Sequence, residues 1–250
     1  MNDRLLAFGI TFLAISVLEI ILPYKEMASH RLKRWSSHFL MIGIFSIFQR
    51  VILPIGLAGF ATSLSSERSF YGTLENSSLT SIILTLIVLD FFIYWQHRLS
   101  HKLNWFWKLH RVHHSDERLD VSSALRFHPL EMLISFVFKL ILIFIFRFDP
   151  VGIVLFEVSL SCFALFNHGK FRFPETLDKY LQYILVTPKM HRVHHSIKSN
   201  EMNMNFGFSI SLWDLIFGTY IFKEEEDFPM GVEGTHSDED IVRLLKQPWQ

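Results

Sequence analysis

The sequence predicts an all-α integral membrane protein: four or five transmembrane helices carrying a helical cap on one side of the bilayer. Three observations carry this. Half of the 250 residues are hydrophobic, mean hydropathy is +0.28, and only 19% are charged, where soluble domains sit nearer a quarter. The apolar residues gather in five runs, each approaching the roughly 20 residues that a membrane helix needs. The polar and basic residues gather between those runs rather than alternating with them.

The runs follow in order. The first spans about Leu5 to Leu22, broken only by Glu19, and ends at Pro23. It lacks the basic start and small-residue cleavage site of a signal peptide, so it reads as a retained helix. A basic stretch follows, with Lys25, Arg31, Lys33 and Arg34. The second run spans about Phe39 to Ala61 and is interrupted by Gln49, Arg50 and Pro54, which predicts a kink. A polar loop, Thr62 to Ser78, leads to the third run, about Leu79 to Trp95, whose one charge is Asp90. The fourth and fifth, about Met132 to Phe146 and Val151 to Phe166, are short enough to form a deep hairpin turning at Arg147, Asp149 and Pro150. Beyond His168 the chain is polar. Glu224, Glu225, Glu226 and Asp227 form a solvated acidic run, and Ser237 to Lys246 reads as a short amphipathic helix capped by Ser237, with Ile241, Val242, Leu244 and Leu245 as its apolar stripe. Three regions are expected within one structural unit: N-terminal membrane helices (1–78), a histidine-bearing core (79–222) and a tail (223–250).

Charge orients these elements. Lysine and arginine concentrate in Lys25 to Arg34, His97 to Arg126 and the region after His168, which the positive-inside tendency places in the cytoplasm. Five crossings starting outside satisfy all three. Overall, 24 basic residues balance 24 acidic ones, so no global field points to nucleic acid. The single cysteine, Cys162, excludes an internal disulfide and a cysteine-ligated cluster.

Histidine carries the chemical signal. Of 13 histidines, His30, His38 and His236 stand alone in polar surroundings and read as surface residues. The other ten lie between His97 and His195. His97 and His101 are spaced i, i+4. His110, His113 and His114, then His191, His194 and His195, are spaced i, i+3, i+4, so each set faces one side of a helix. The hexapeptide His-Arg-Val-His-His-Ser occurs twice, at His110 to Ser115 and His191 to Ser196. His128 and His168 sit at the same predicted membrane boundary. Neutral imidazole ligates iron, zinc, copper and nickel. Eight clustered histidines, ten with His128 and His168, exceed the four ligands of a structural zinc, and two ions at about five ligands each match the count.

His-x3-His followed by two His-x2-His-His boxes, beside paired membrane helices, resembles the fatty acid hydroxylase and sterol desaturase superfamily. Asn205-Phe206-Gly207, Trp213-Asp214, Phe217-Gly218-Thr219, Phe127-His128-Pro129-Leu130-Glu131 and Asn167-His168 strengthen the resemblance, which covers about Leu79 to Tyr220. It implies a non-haem di-iron site that uses O2 to hydroxylate or desaturate a C–H bond of a lipid, whether sterol, fatty acyl or ether lipid. It also implies that His97, His101, His110, His113, His114, His191, His194 and His195 are ligands, with His128 and His168 completing the set. Asn205 and Asp214 would orient ligand imidazoles. With no haem domain in evidence, electrons would come from a separate donor of reductase, ferredoxin or cytochrome type. The compact chain suggests a bacterial inner membrane. Two other readings stand beside this one. A membrane zinc hydrolase would need a general base such as the Glu of His-Glu-x-x-His, and no box contains one. A metal transporter or metal or pH sensor would want polar groups along the spans, for which Glu19, Asp90 and Glu157 are candidates.

Overall fold

The structure, a computed structural model, describes residues 2–24, 31–64, 78–224, 228–235 and 240–250. Lys25, His30, residues 65–77 of the polar loop, Glu225, Glu226, Asp227, His236 and Ser237 lie outside the described residues. All regular elements among the described residues are helical. They are α1 (Asn2–Ile21), α2 (Arg31–Ile52), α3 (Gly56–Ser63), α4 (Leu79–Lys102), α5 (Asn104–His114), α6 (Pro129–Phe146), α7 (Pro150–His168), α8 (Glu175–Leu181), α9 (Pro188–His194), α10 (Ser199–Met202), α11 (Leu212–Ile216) and α12 (Ile241–Lys246). A 3-10 turn covers Val121–Leu125.

Five segments are long and apolar enough to cross a membrane: Arg4–Ile21, Arg31–Ser63, Leu79–Lys102, Pro129–Phe146 and Pro150–His168. The fourth and fifth runs are thus full-length helices of 18 and 19 residues. The lipid-facing character of α1, α2 and α6 shows in exposed residues such as Leu6, Ile10, Leu13, Ile47, Val51, Ile141 and Phe144. The predicted kink is real. Pro54 lacks the N–H that would continue α2, the helix stops at Ile52, and Gly56, at φ +68°, restarts the chain as α3. The turn after α6 uses Arg147 at φ +50°. Asp149 then caps α7 by accepting from the amides of Val151 and Gly152 and accepts a further bond from Ser81 Oγ at 2.9 Å.

α7 is the hub, packing against α1, α3, α4, α9 and the 3-10 turn. It meets α4 closely at Gly152, where a Cβ would stand 2.7 Å from Thr85 Cβ. Phe45, Leu89, Ile93, Phe136, Ile143, Ile153 and Phe156 fill the space between α2, α4, α6 and α7. α3 closes one end of this bundle against α6 and α7. The other end carries the polar machinery: the close of α1, α4 and α7 and the beginning of α2 and α6.

The start of α2 corrects two sequence expectations. α2 begins at Arg31 rather than near Phe39, so Lys33 and Arg34 belong to a helix and not to a loop. Arg34, Ser37, His38, Met41 and Phe45 form its buried face. His38, expected on the surface, is fully buried with Nδ1 2.9 Å from Ser122 Oγ. Arg34 donates to both oxygens of Asp116 (2.9 and 2.7 Å), to Asp120 (2.8 Å) and to the Arg118 carbonyl (2.9 Å). Asp120 in turn caps the 3-10 turn through a capping box with Ser123. The C-terminal helix starts later than expected. Asp240 is its cap, accepting from the amides of Val242 and Arg243, and Leu244 buries against Met41 and Val112.

Candidate metal centre

Nine of the ten clustered histidines converge in two adjacent groups. His97, His101, His110, His114 and His194 form one; His113, His168, His191 and His195 form the other. Within each group the donor nitrogens lie within 4.8 Å of one another. The two repeated hexapeptides divide between the groups reciprocally. From α5, His110 and His114 enter the first group and His113 the second. From α9 and its C-cap, His191 and His195 enter the second and His194 the first. Each box presents one helix face, as its spacing predicts, but that face straddles both groups. α4 adds His97 and His101 to the first, and α7 adds His168 to the second.

Hydrogen bonds fix several ring orientations. His97 Nδ1 donates to the Phe206 carbonyl (2.8 Å), His194 Nδ1 to the Met204 carbonyl (2.8 Å) and His168 Nδ1 to the Ala164 carbonyl (2.7 Å). A neutral imidazole has one N–H, so Nε2 of each of these rings is a bare lone pair. Yet Nε2 of His97 and His194, both bare, stand 3.0 Å apart, and the single Nε2 lone pair of His168 faces Nε2 of both His113 and His191 at 3.1 Å, only one of which can donate to it. Lone pairs at this distance repel, and a cation between them removes the conflict. Two nitrogens about 2.1 Å from one ion, at right angles, are separated by about 3.0 Å. Nε2 of His101 and His110 and both ring nitrogens of His114 are buried with no hydrogen-bond partner, the signature of a donor set built for metal rather than for packing.

Electrostatics agree. Burial, reinforced by neighbouring imidazoles, holds His113, His114, His191, His194 and His195 well below the usual histidine range. These rings are neutral at pH 7 and their lone pairs are available. Aromatic rings enclose them. Phe127 stacks on His113 with centroids 4.0 Å apart, Phe206 packs against His97, His101 and His194, and Trp107 lies against His101 and His114.

His128 is not brought into either group. It caps α6 through the Leu130 amide (3.2 Å), and its Nε2 faces the Leu245 carbonyl (3.2 Å). Pro129 at the first helical position makes His128 the cap, which turns its ring toward the C-terminal segment instead of the cluster. Asn205 and Asp214 hydrogen-bond no imidazole among the described residues; they act mainly on backbone. Asn205 adopts φ +57°, which asparagine tolerates better than most residues. Its side chain bonds the Met190 and Ile221 carbonyls and the Ile221 amide. The carbonyls on either side of it, Met204 and Phe206, are those that orient His194 and His97. Asp214 accepts from the amides of Phe206 (2.8 Å) and Gly207 (2.7 Å) and from Thr219 Oγ1 (2.7 Å), and burial pushes its carboxyl up to about 6. A Cβ on Gly207 would stand 2.7 Å from Asp214 Oδ2, so glycine is required there.

Sequence reasoning missed Glu131 as a site residue. Its Oε1 accepts from His110 Nδ1 at 2.5 Å, the carboxylate–histidine pairing that orients metal ligands. Its signal was position: three residues after His128, at the start of a membrane helix, a buried carboxylate needs a partner.

Beneath the histidines a cavity of ≈ 330 Å³ runs between α2, α4, α6 and α7, bounded by His97, His110, His113, His191 and Glu131 at one end and by Phe45, Ile93, Phe136 and Leu165 along its walls.

The family model described as fatty acid hydroxylase matches residues 82–219, more than half of the chain. The chain is 29% identical over 168 residues to ornithine lipid hydroxylase OlsE of Rhizobium tropici, covering 67% of this chain and 50% of that protein. It is 31% identical over 141 residues to the alkylglycerol monooxygenase of Homo sapiens (55% of this chain, 30% of that one). It is 28% identical over 151 residues to the lathosterol oxidase of Homo sapiens (60% and 47%). The chain thus spans half or less of the length of these relatives. No solved structure matches it with statistical significance. The match to the family across all three histidine boxes, together with five apolar helices that converge on one buried histidine cluster, makes this chain an integral membrane protein of the fatty acid hydroxylase family.

Proposed function

We infer that this protein is an O2-dependent oxygenase that hydroxylates or desaturates a C–H bond of a lipid, using two iron ions held by His97, His101, His110, His114 and His194 and by His113, His168, His191 and His195. The observation that carries this reading is the facing of the bare Nε2 lone pairs of His97 and His194 at 3.0 Å inside a buried cluster that opens onto a cavity walled largely by apolar side chains. Iron, which unlike zinc can change oxidation state, would supply the redox chemistry that O2 reduction and hydrogen abstraction from a C–H bond require. The chain's own residues do the rest. The Met204, Phe206 and Ala164 carbonyls and Glu131 hold ligand tautomers, Asp214 and Asn205 fix the backbone of the segment that carries the Met204 and Phe206 carbonyls, and Phe127, Phe206 and Trp107 exclude water from a site whose chemistry water would quench. The names of the relatives, covering an ornithine lipid, an alkylglycerol and a sterol, support a lipid substrate lying in the bilayer. Electrons come from a separate donor docking on the basic face around Arg98, Lys102 and Lys108; the positive-inside tendency supports reading that face as cytoplasmic, in what we take to be a bacterial inner membrane.

Glu131 supports one other reading. It brings to the cluster the carboxylate that a zinc hydrolase needs and that the boxes lack. Elemental analysis of detergent-purified protein separates the two. About two irons per chain, lost in a His113→Ala/His194→Ala double variant, is the expected result. Zinc retained at full occupancy after aerobic iron supplementation, or no metal at all, would overturn the oxygenase reading.

A further inference from the structure

Beyond His168 the chain as a whole is polar, yet the 21 residues between Glu201 and Lys223 carry one charge, Asp214, and its carboxylate is buried. Beyond α10 the one helix in this stretch is the five-residue α11. Contacts with α4 fix where it lies. Ile83 and Ile87 are exposed on α4 at a four-residue step and belong to its lipid-facing stripe. The next position of that stripe, Phe91, is covered. Trp213 packs edge-on against it with centroids 5.2 Å apart, and Phe217 lies 6.1 Å from Phe91 and 5.1 Å from Trp95. Beside Phe91, Asp90 accepts from the Trp213 indole at 2.8 Å and from the amides of Ser209 and Ile210. Asp90 precedes His97 by seven residues, about 10 Å along the axis at 1.5 Å per residue. With the hydrocarbon boundary drawn at His97, Trp213 therefore sits about 10 Å inside it. The outer side of the same segment is apolar: Leu212 is 44% exposed, Leu215 37% and Ile216 58%.

We propose that residues 206–217 form a re-entrant segment, which enters the hydrocarbon of the histidine-bearing leaflet beside α4 and presents Leu212, Leu215 and Ile216 to acyl chains. Its apolar side continues the lipid-facing stripe of α4 that it covers. Irregular backbone survives at membrane depth only where its polar groups are paired within the protein, and this segment meets that condition. Asp214 takes the amides of Phe206 and Gly207, Asp90 those of Ser209 and Ile210, and the Ile184 carbonyl that of Ser211. The Phe206, Phe208 and Ser209 carbonyls accept from His97 Nδ1, Asn167 Nδ2 and the Val186 amide. The Val186 and Ile184 bonds lace the segment to the chain that leaves α8, where Tyr180 and Tyr183 are exposed beside Lys179. Tyrosines with a neighbouring cation suit the headgroup level, just above a segment that dips below it. Phe208, on the inner side, lines the cavity, so the segment is a wall between the cavity and the acyl chains. The inference is independent of the reaction that the histidines carry out.

The test is fluorescence quenching of bimane attached to a single cysteine in the full chain, reconstituted into phosphatidylcholine vesicles. Cys162→Ala removes the native thiol. Ile216→Cys then carries the label, with Ile141→Cys on the exposed face of α6 as the lipid reference and Asn203→Cys on the exposed surface of the cap as the water reference. Doxyl-labelled phosphatidylcholine should quench the Ile216 site at least half as strongly as the Ile141 site, and iodide should quench it at least threefold less than the Asn203 site. Iodide quenching equal to that at Asn203 would mean that the segment faces water and would overturn the proposal. Protection from both quenchers would mean that another protein surface, such as a second copy of this chain, covers it, and would overturn the proposal equally. If the Ile216→Cys chain does not fold, Leu212→Cys decides by the same two ratios. Metal content of the same preparations tests the oxygenase reading separately, because the quenching pattern does not depend on it.

Discussion

Arg34→Met removes a guanidinium that is 1% exposed and closes four hydrogen bonds onto Asp116, Asp120 and the Arg118 carbonyl. A surface ion pair is worth about 0–1 kcal/mol, but this one is sealed from water, and its loss strands two buried carboxylates. Removing one partner of such a pair costs about 3–5 kcal/mol. For a chain of this size each kcal/mol moves the thermal midpoint by about 2–4 °C, so the variant should melt about 10 °C below wild type at a fixed scan rate in the same detergent. Removing one stranded charge as well, in Arg34→Met/Asp120→Asn, should recover part of that loss, because asparagine still caps a helical turn and Asp116 keeps Arg126 as a counter-charge. A shift below about 2 °C for the single variant would refute the reasoning: it would mean that water reaches Arg34 and that α2 does not pin the segment following His114.

Three further outcomes follow from the geometry. Metal-stripped protein should lose stability as pH falls from 7 towards 5. His113, His114, His191, His194 and His195 are held neutral in the fold and protonate near 6.5 once unfolded, so the unfolded state takes up protons first and each group contributes up to about 1.4 kcal/mol per pH unit; a midpoint flat across that range would show that the imidazoles are solvated. Glu131→Gln keeps a partner for His110 Nδ1 but loses the charge, and should weaken metal retention about tenfold in a chelator competition while leaving the thermal midpoint of the stripped protein within about 3 °C of wild type. Gly152→Ala pushes a methyl group against Thr85 at the α4–α7 crossing and should cost about 1–3 kcal/mol, read as a lower midpoint, with Thr85→Ser restoring part of it.

The membrane helices were legible because a run of apolar residues is a local property, and α1, α4, α6 and α7 begin or end within a few residues of the expected positions. The histidines were legible for the same reason: i, i+3, i+4 spacing is a fact about one turn of one helix. What the sequence hid depends on partners far along the chain. Arg34 reads as a loop cation until Asp116, 82 residues away, neutralises it. His38 reads as a surface residue until α2 is seen to start at Arg31. His128 reads like the other nine histidines, and only the proline after it and the Leu245 carbonyl turn it elsewhere. The division of each hexapeptide between two groups, and the use of backbone carbonyls beside Asn205 to aim His97 and His194, are properties of the packed cluster with no local signature.

The reciprocal division of the repeats has a consequence for assembly. Because α5 and α9 each serve both groups, an ion entering the five-histidine group immobilises the same two helices that carry the four-histidine group. The ordering cost of the second event is met largely by the first. Titrated metal should therefore partition between empty and doubly filled chains, with singly loaded chains scarce, and no single box can drift in sequence without disturbing both halves of the site at once.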